Sequence, residues 1–503
     1  MKIPFKNSFL SWMMKKRIHQ IELFLKYPFA VQDELLLNLI GSAKKTEFGK
    51  AHGFNSIKSY EEFKNSVEVK TYEEFYPYIK KLREGEDNIL WPGKIKWFAK
   101  SSGTTNAKSK YIPITQQALE ECHYKAGKDM LSIYCNNNPE TTFFNGMGLM
   151  LGGSQCQNPA KEYMDGDLSA ILINNFPFWV NMHRTPDLAT ALLPKWEEKL
   201  KKIVQQAVKE DVSSLTGVPS WMLILLNKIL EKTGADNILE VWPNLELYMH
   251  GGMNFSPYKE QFQKIIPSPK MNYMECYNAS EGYFGIQDQT NTNEILLMLD
   301  YGIFYEFIAM ENFKKGSRKT IRLDQVKLNT TYALVITTNA GLWRYLIGDT
   351  ICFTNLSPFR IKIIGRTKSF INAFGEELVV ENAENALKHA CRKTKTTIKE
   401  FTVAPLYIKE NISGAHQWLI EFEKQPKDLD IFTKEIDNFL QTINSDYQAK
   451  RTNDLILQMP KIESLKSGVF YRWLAKKGKL GGQNKVPRLS NNREIVEEIL
   501  KMN

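Results

Sequence analysis

Cysteine is sparse and dispersed. The 6 cysteines of the 503-residue chain, at positions 122, 135, 156, 276, 352 and 391, form no Cys-x-x-Cys pair. This argues against a zinc ribbon or a disulfide framework and for reduced thiols in a cytosol. The 7 histidines include no His-Glu-x-x-His and no close pair, so a catalytic zinc is not expected. A hard cation held by carboxylates stays open. The longest strongly apolar run, Trp221 to Leu226, falls far short of the ~18–20 residues that cross a bilayer. Lys15, Lys16 and Arg17 follow the apolar Phe9 to Met14 instead of preceding it, the reverse of a secretory signal. Repeats and low-complexity tracts are missing too. These gaps together predict a soluble cytoplasmic protein without a membrane span.

What is present suits a large, well-packed chain. A hydrophobic fraction of 43% with 12% aromatics supplies ample core, and the length predicts a large domain plus a smaller one. The net charge of +10 comes from lysines interleaved with glutamates, which reads as a solvated surface more than as a nucleic-acid tract. The first hundred residues read mainly as helix. Leu193, Trp196, Leu200, Ile203, Val204 and Ala207 recur at helical spacing. Leu245, Leu247 and Met249 alternate into a strand ending at Gly251 and Gly252, and strand-like runs follow at Met271–Met274, Gly302–Met310, Tyr332–Thr338 and Arg360–Ile364. Beyond a polar break at Gly365 to Gly375, strands at Phe401–Ile408 and Gln417–Phe422 precede a helix carrying Phe432, Ile436, Phe439, Leu440 and Ile443. The fold class expected is α/β, mixed α and β, with a small α+β unit at the C-terminal end.

Three clusters carry chemistry. Ser101-Ser102-Gly103-Thr104-Thr105-Asn106-Ala107-Lys108 gathers small hydroxyls round a glycine, with lysines and a strand-like Tyr111–Ile114 after it. Hydroxyls and free backbone N–H groups wrap phosphate oxygens, although the spacing is not that of a P-loop and such runs also serve as plain loops. Tyr277-Asn278-Ala279-Ser280-Glu281-Gly282 sets a hydroxyl beside a carboxylate in a glycine-bounded turn, suited to a phosphate and Mg²⁺ or to simple capping. Thr338 to Asp349 ends in an aspartate fixed by Gly348, whose two oxygens suit a pair of ribose hydroxyls or an ordinary turn.

In this order the clusters resemble the three nucleotide-binding motifs of the acyl-adenylate-forming superfamily that includes firefly luciferase. Within it, the chain resembles the auxin-responsive acyl acid-amido synthetases, at Ser101–Thr115, Leu215–Ser220, Tyr248–Gly252, Tyr277–Gly285, Thr338–Asp349, Gly365–Lys368 and Gly481–Arg488. The resemblance implies a large N-terminal adenylation domain with several sheets at 1–365, a hinge at 366–376, and a small mobile C-terminal α+β domain at 377–503. It implies an ATP- and Mg²⁺-dependent ligase that converts a small carboxylic acid to its acyl-AMP and passes the acyl group to an amine, most simply an amino acid. Ser101, Ser102, Gly103, Thr104, Thr105 and Lys108 would line the ATP phosphates. Glu281 would bind the metal, with Ser280 near the α-phosphate. Gly251 and Gly252 would pass beside the adenine, Tyr277 would pack near its ring, and Asp349 would hold the ribose, helped by Arg366. Lys485 would reach the α-phosphate when the small domain closes.

The acid pocket is expected among Val218, Met222, Tyr248, His250, Met253 and Phe255, which flank the site in sequence, although the apolar ones read equally as core and His250 as a structural hydrogen-bonding group. Glu306, inside an apolar run, reads equally as a paired core carboxylate or a site residue. Two departures stand out: Ala107 replaces a second glycine in the phosphate loop, and Ile371 to Glu377 lacks the lysine that plant relatives place near Gly375. The chain thereby resembles a bacterial branch more than enzymes of plant hormones. No triad is present, and attack by an amine on a mixed anhydride needs none. An acyl-CoA ligase sharing the first half-reaction is the alternative within the class; a noncatalytic nucleotide or nucleic-acid binder is the alternative outside it. The oligomeric state stays open with a monomer favoured, and no nucleic-acid partner is expected.

Overall fold

The computed structural model describes the chain apart from residues 1–10, 13, 15, 102–109, 154, 157–162, 253–254, 256–257, 291, 368–369, 372, 374–375, 377, 408–413, 445–446, 449–450, 452–456, 481–484 and 491. Helices fill the N-terminal stretch, among them Ile18–Lys26, Pro28–Ala43, Tyr60–Ser66 and Tyr72–Arg83. Ser59 caps the third of these by accepting from the Glu62 N–H. Their apolar faces, including Phe24, Leu36, Phe63 and Phe75, enter the largest core. The expected helix near Leu193–Ala207 forms at Trp196–Ala207 and buries Trp196, Leu200, Ile203, Val204 and Ala207. It starts after Leu193 because a residue preceding proline, here Pro194, is held away from helical dihedrals.

The frame is one eleven-stranded sheet. On one side the strands Met147–Met150, Val212–Gly217, Leu247–Gly251 and Asn272–Ala279 run parallel. On the other, Gly282–Ile286, Ile295–Leu297, Phe359–Arg366, Tyr345–Leu356, Thr331–Thr338 and Ile303–Ala309 continue antiparallel. The expected strands around Met271, Gly302, Tyr332 and Arg360 are all here. A separate four-stranded sheet holds the hairpin Trp97–Ser101 and Lys110–Ile114.

The C-terminal region is a three-stranded sheet, Thr397–Leu406, Ala415–Lys424 and Lys461–Leu465, with helices Val380–Thr394 and Leu429–Ile443. It has its own core around Phe401, Trp418, Ile420, Phe432 and Leu440. A second core is shared across the molecule. Val469, Phe470, Trp473 and Leu474 lie in one apolar cluster with Trp196, Trp221, Leu225 and Phe262. The Gln261 side-chain amide, buried, donates to the Ile398 carbonyl at 2.9 Å across that junction. The architecture is the mixed α/β one expected.

Glu306 belongs to the core. It is 1% exposed, pairs with Arg344 at 2.8 Å, and accepts from Tyr60 Oη and Thr320 Oγ1. A buried carboxylate fully paired in this way is structural.

Candidate active site

Parallel strands turn out of a sheet at a common edge, and ligands collect outside their carboxyl ends. Here Met150, Gly217, Gly251 and Ala279 end the four parallel strands, and all four line a single cavity of about 1510 Å³. The strand Asn272–Ala279 reverses directly into Gly282–Ile286, with Ala279 paired to Gly282. Ser280 and Glu281 are thus the two residues of a hairpin turn presented to the cavity. Both are buried. Burial raises the Glu281 pKa, opposed by the charges of Lys110 and Arg366. Tyr345 Oη donates to Glu281 Oε1 at 3.4 Å.

Asp349 and Arg366 are cross-strand partners, and Arg366 Nε donates to Asp349 Oδ1 at 2.9 Å. Tyr277 Oη, from the other half of the sheet, donates to Asp349 Oδ2 at 2.7 Å. Each carboxylate oxygen keeps a second acceptor site. The aspartate holds the Arg366 pKa above its ordinary value, and burial raises that of Tyr277.

Gly251 and Gly252 are glycine for steric reasons. A Cβ on Gly251 would stand 2.6 Å from the Cys276 carbonyl oxygen. Gly252 has φ +78°, a left-handed conformation, and a Cβ there would lie 3.2 Å from Lys485 Nζ. Lys485 therefore reaches the edge of the sheet from the C-terminal region. The chain after it is pinned along Thr397–Leu406, where Thr402 Oγ1 donates to the Pro487 carbonyl at 2.6 Å and the Val403 N–H to that of Arg488 at 2.9 Å. Burial first, then the like charge of Arg366, push the Lys485 ammonium down to about 8, against the opposite pull of Asp349 and Glu384. Its side chain is nonetheless exposed to the cavity.

Of the residues expected to bind phosphate, Ser102, Gly103, Thr104, Thr105 and Lys108 lie outside the described residues; Ser101 ends its strand, paired with Lys110. Of the expected acid pocket, Val218 and His250 line the cavity. Met222, Tyr248 and Phe255 sit in the core behind that wall, with Tyr248 Oη donating to the Gly217 carbonyl at 3.0 Å and Phe255 stacked on His250 at 4.1 Å. Met253 lies outside the described residues. Burial pushes His250 down to about 3, which keeps its imidazole neutral.

Other wall residues escaped the sequence. Glu275, two positions before Tyr277 on the same strand face, lines the cavity, and burial and then Glu384 push its carboxyl up to about 7. Leu131, Phe143, Leu172, Phe176 and Val180 give the far end an apolar lining. His123 lies there in a π-helical turn, Leu119–Tyr124, and burial pushes it down to about 4. Strand alternation would have flagged Glu275; the helical residues had no local signal of chemistry. Among the described residues no group of three or more His, Cys, Asp or Glu is placed to hold a metal, and no helix is long and apolar enough to cross a membrane.

Residues 17–271 match the GH3 family N-terminal domain, 296–366 the central domain and 381–494 the C-terminal domain. The chain is 22% identical over 576 residues to indole-3-acetic acid-amido synthetase GH3.4 of Arabidopsis thaliana, covering 96% of this chain and 92% of that one. It is 24% identical over 403 residues to jasmonoyl–L-amino acid synthetase JAR4 of Nicotiana attenuata, covering 66% and 68%. The fold matches that of a GH3.15 acyl acid amido synthetase with TM-score 0.79 at 16% identity, over 94% and 93% of the two chains. It also matches 2-hydroxyisobutyryl-CoA ligase in its postadenylation state, with TM-score 0.59 at 13% identity, over 94% and 91%.

Proposed function

The chain belongs to the GH3 family, and from that premise we propose that its cavity is where a carboxylic acid is adenylated and then joined to an amino acid. The enzyme is a ligase forming an acid–amino acid amide through an acyl-adenylate, and it uses ATP. The observation that carries the site assignment is convergence: the Tyr277–Asp349–Arg366 cluster, the Ser280–Glu281 turn and Lys485 meet in one cavity whose far end is apolar.

The nucleotide fits the polar end. Asp349, already oriented by two donors, offers its remaining acceptor sites to the ribose hydroxyls. Gly251 and Gly252 leave room beside the base, and the Glu275 carboxyl faces the same space. A lone buried carboxylate, Glu281, fits Mg²⁺ held mainly by phosphate oxygens, since this ion keeps few protein ligands. Bound there, Mg²⁺ would supply charge neutralisation at the phosphates. The residues do the rest. An acid carboxylate attacks the α-phosphorus only if anionic repulsion is offset, and Lys485 places an ammonium at that point. Ser280 offers a hydroxyl donor beside it. Pyrophosphate leaves, and the amine then attacks the acyl carbon, expelling AMP.

The test is ATP–pyrophosphate exchange across a library of acids, followed by single amino acids added to the acids that react. Acid-dependent exchange with amine-dependent AMP release is expected. AMP release that depends on coenzyme A instead of an amine would replace this reading with that of a thioester-forming ligase, and salt-sensitive RNA binding without any exchange would discard both.

A further inference from the structure

On the sheet wall of the cavity, three neighbouring strands bring together groups that are distant in sequence. Gly148 pairs on one side with Arg184, on the short strand Arg184–Thr185, and on the other with Ser214. In a parallel sheet, residues in register point to one face, so Arg184 and Ser214 flank the position where Gly148 has no side chain. All three line the cavity. The space over Gly148 is narrow and polar: a Cβ there would come within 3.3 Å of Ser214 Oγ and 3.6 Å of the His183 carbonyl oxygen, so a side chain would occupy it.

One nitrogen and one hydroxyl oxygen of this notch lack partners among the described residues. Arg184 is 4% exposed; its Nε donates to Asn181 Oδ1 and its Nη1 to the Pro186 carbonyl, both at 2.7 Å, and its Nη2 has no hydrogen bond among the described residues. Among the described residues no carboxylate pairs with it directly. Asp187 acts only from a distance, its oxygens taken by the Thr190 N–H at 2.8 Å and the Gln206 amide at 2.6 Å. Burial accordingly lowers the guanidinium's pKa, the mark of a cation short of a counter-charge. Ser214, 1% exposed, has an Oγ without a partner among the described residues. Buried polar groups are nearly always satisfied, and an exception inside a ligand cavity calls for a ligand atom.

Resting on the activity proposed above, we infer that the acid carries a second acidic group at its far end, and that Arg184 and Ser214 receive this group in the notch over Gly148. The substrate class is then a dicarboxylic acid, or a monocarboxylic acid bearing another anionic terminus. Ser214 lies three residues below Gly217, at the strand end beside the reacting groups, which sets the two ends roughly 10 Å apart at ~3.3 Å per residue. Met150, Leu151, Leu172 and Ile173 line the same cavity, which suits an apolar connecting segment.

The experiment is a panel of straight-chain acids of matched length ending in methyl, hydroxyl or carboxylate, read by pyrophosphate release. The wild-type enzyme should prefer the dicarboxylate by tenfold or more in kcat/KM over the methyl-ended acid. Arg184→Met should bring that ratio near one while changing the methyl-ended acid by less than about twofold. Gly148→Ala, which fills the notch and leaves the Arg184 clasps to Asn181 and Pro186 intact, should do the same and decides the matter if Arg184→Met does not fold. Preference for the methyl or hydroxyl terminus, or an equal loss for every acid in Gly148→Ala, overturns the inference while leaving the ligase reading in place. Exchange with no acid at all would instead remove the ligase reading on which it rests.

Discussion

Lys485 offers the most discriminating perturbation. It comes from the C-terminal region, stands beside Gly252, and has no hydrogen-bond partner among the described residues. Its removal leaves no buried counter-charge stranded, so Lys485→Ala should melt like the parent. The adenylation step should suffer nonetheless. Losing one preorganised donor aimed at developing charge costs about 10²- to 10³-fold in kcat, and that is the fall expected in ATP–pyrophosphate exchange. The pH profile adds a sharper requirement. An ammonium depressed from its ordinary 10.5 towards about 8 is charged below that value and loses its proton as pH rises through it. The acid-dependent kcat/KM should therefore fall on an alkaline limb well below pH 10.5, by tenfold per pH unit. Bound triphosphate stabilises the charged form, so the limb in kcat should lie higher than the limb in kcat/KM. Lys485→Arg, which stays charged, should be slower but flat over this range. An alkaline limb that survives unchanged in Lys485→Arg, or near-parental exchange in Lys485→Ala, would refute the assignment.

Glu281→Gln should weaken the dependence of exchange on Mg²⁺, raising the concentration needed for half-maximal rate by at least tenfold at little change in melting; an unchanged Mg²⁺ curve would count against it. Asp349→Asn removes the charge that Arg366 and Tyr277 orient, and should raise the KM for ATP about tenfold with a smaller effect on the KM for the acid, as measured by pyrophosphate release. Arg344→Met strands the buried Glu306 carboxylate, which costs about 3–5 kcal/mol where one partner of a buried pair is lost. Chemical denaturation should show that loss, while the protein that remains folded keeps its KM values; a selective change in KM would move Glu306 into the site.

The parts of the site legible in the sequence are those whose chemistry is written locally. Ser280-Glu281-Gly282 reads as a turn with a hydroxyl and a carboxylate because a hairpin needs only its own neighbours. The Gly251-Gly252 pair stands at the end of a strand that apolar alternation already marks, while Asp349 lies inside Tyr345–Leu356 and is marked by the preceding Gly348. Proximity in sequence misleads where a strand end opens onto a cavity: Tyr248 shares a strand face with His250, their rings 5.2 Å apart, yet it is covered in the core while His250 meets the cavity. Least legible is anything created by register. Arg184, Gly148 and Ser214 carry no motif, and only the pairing of three strands sets them side by side. The position of Lys485 depends likewise on how its chain lies along Thr397–Leu406, a tertiary contact with no local signature.

The apolar cluster that joins Trp473 and Phe470 to Trp196 and Trp221 has a practical outcome for anyone dividing the molecule. Each half keeps a core of its own, so both would collapse into something compact after a cut near residue 376. Each would also carry away one side of a tryptophan-rich seam with nothing to cover it. Such halves should self-associate in dilute buffer and regain solubility when mixed, because the surface that makes them sticky is the one by which they recognise each other.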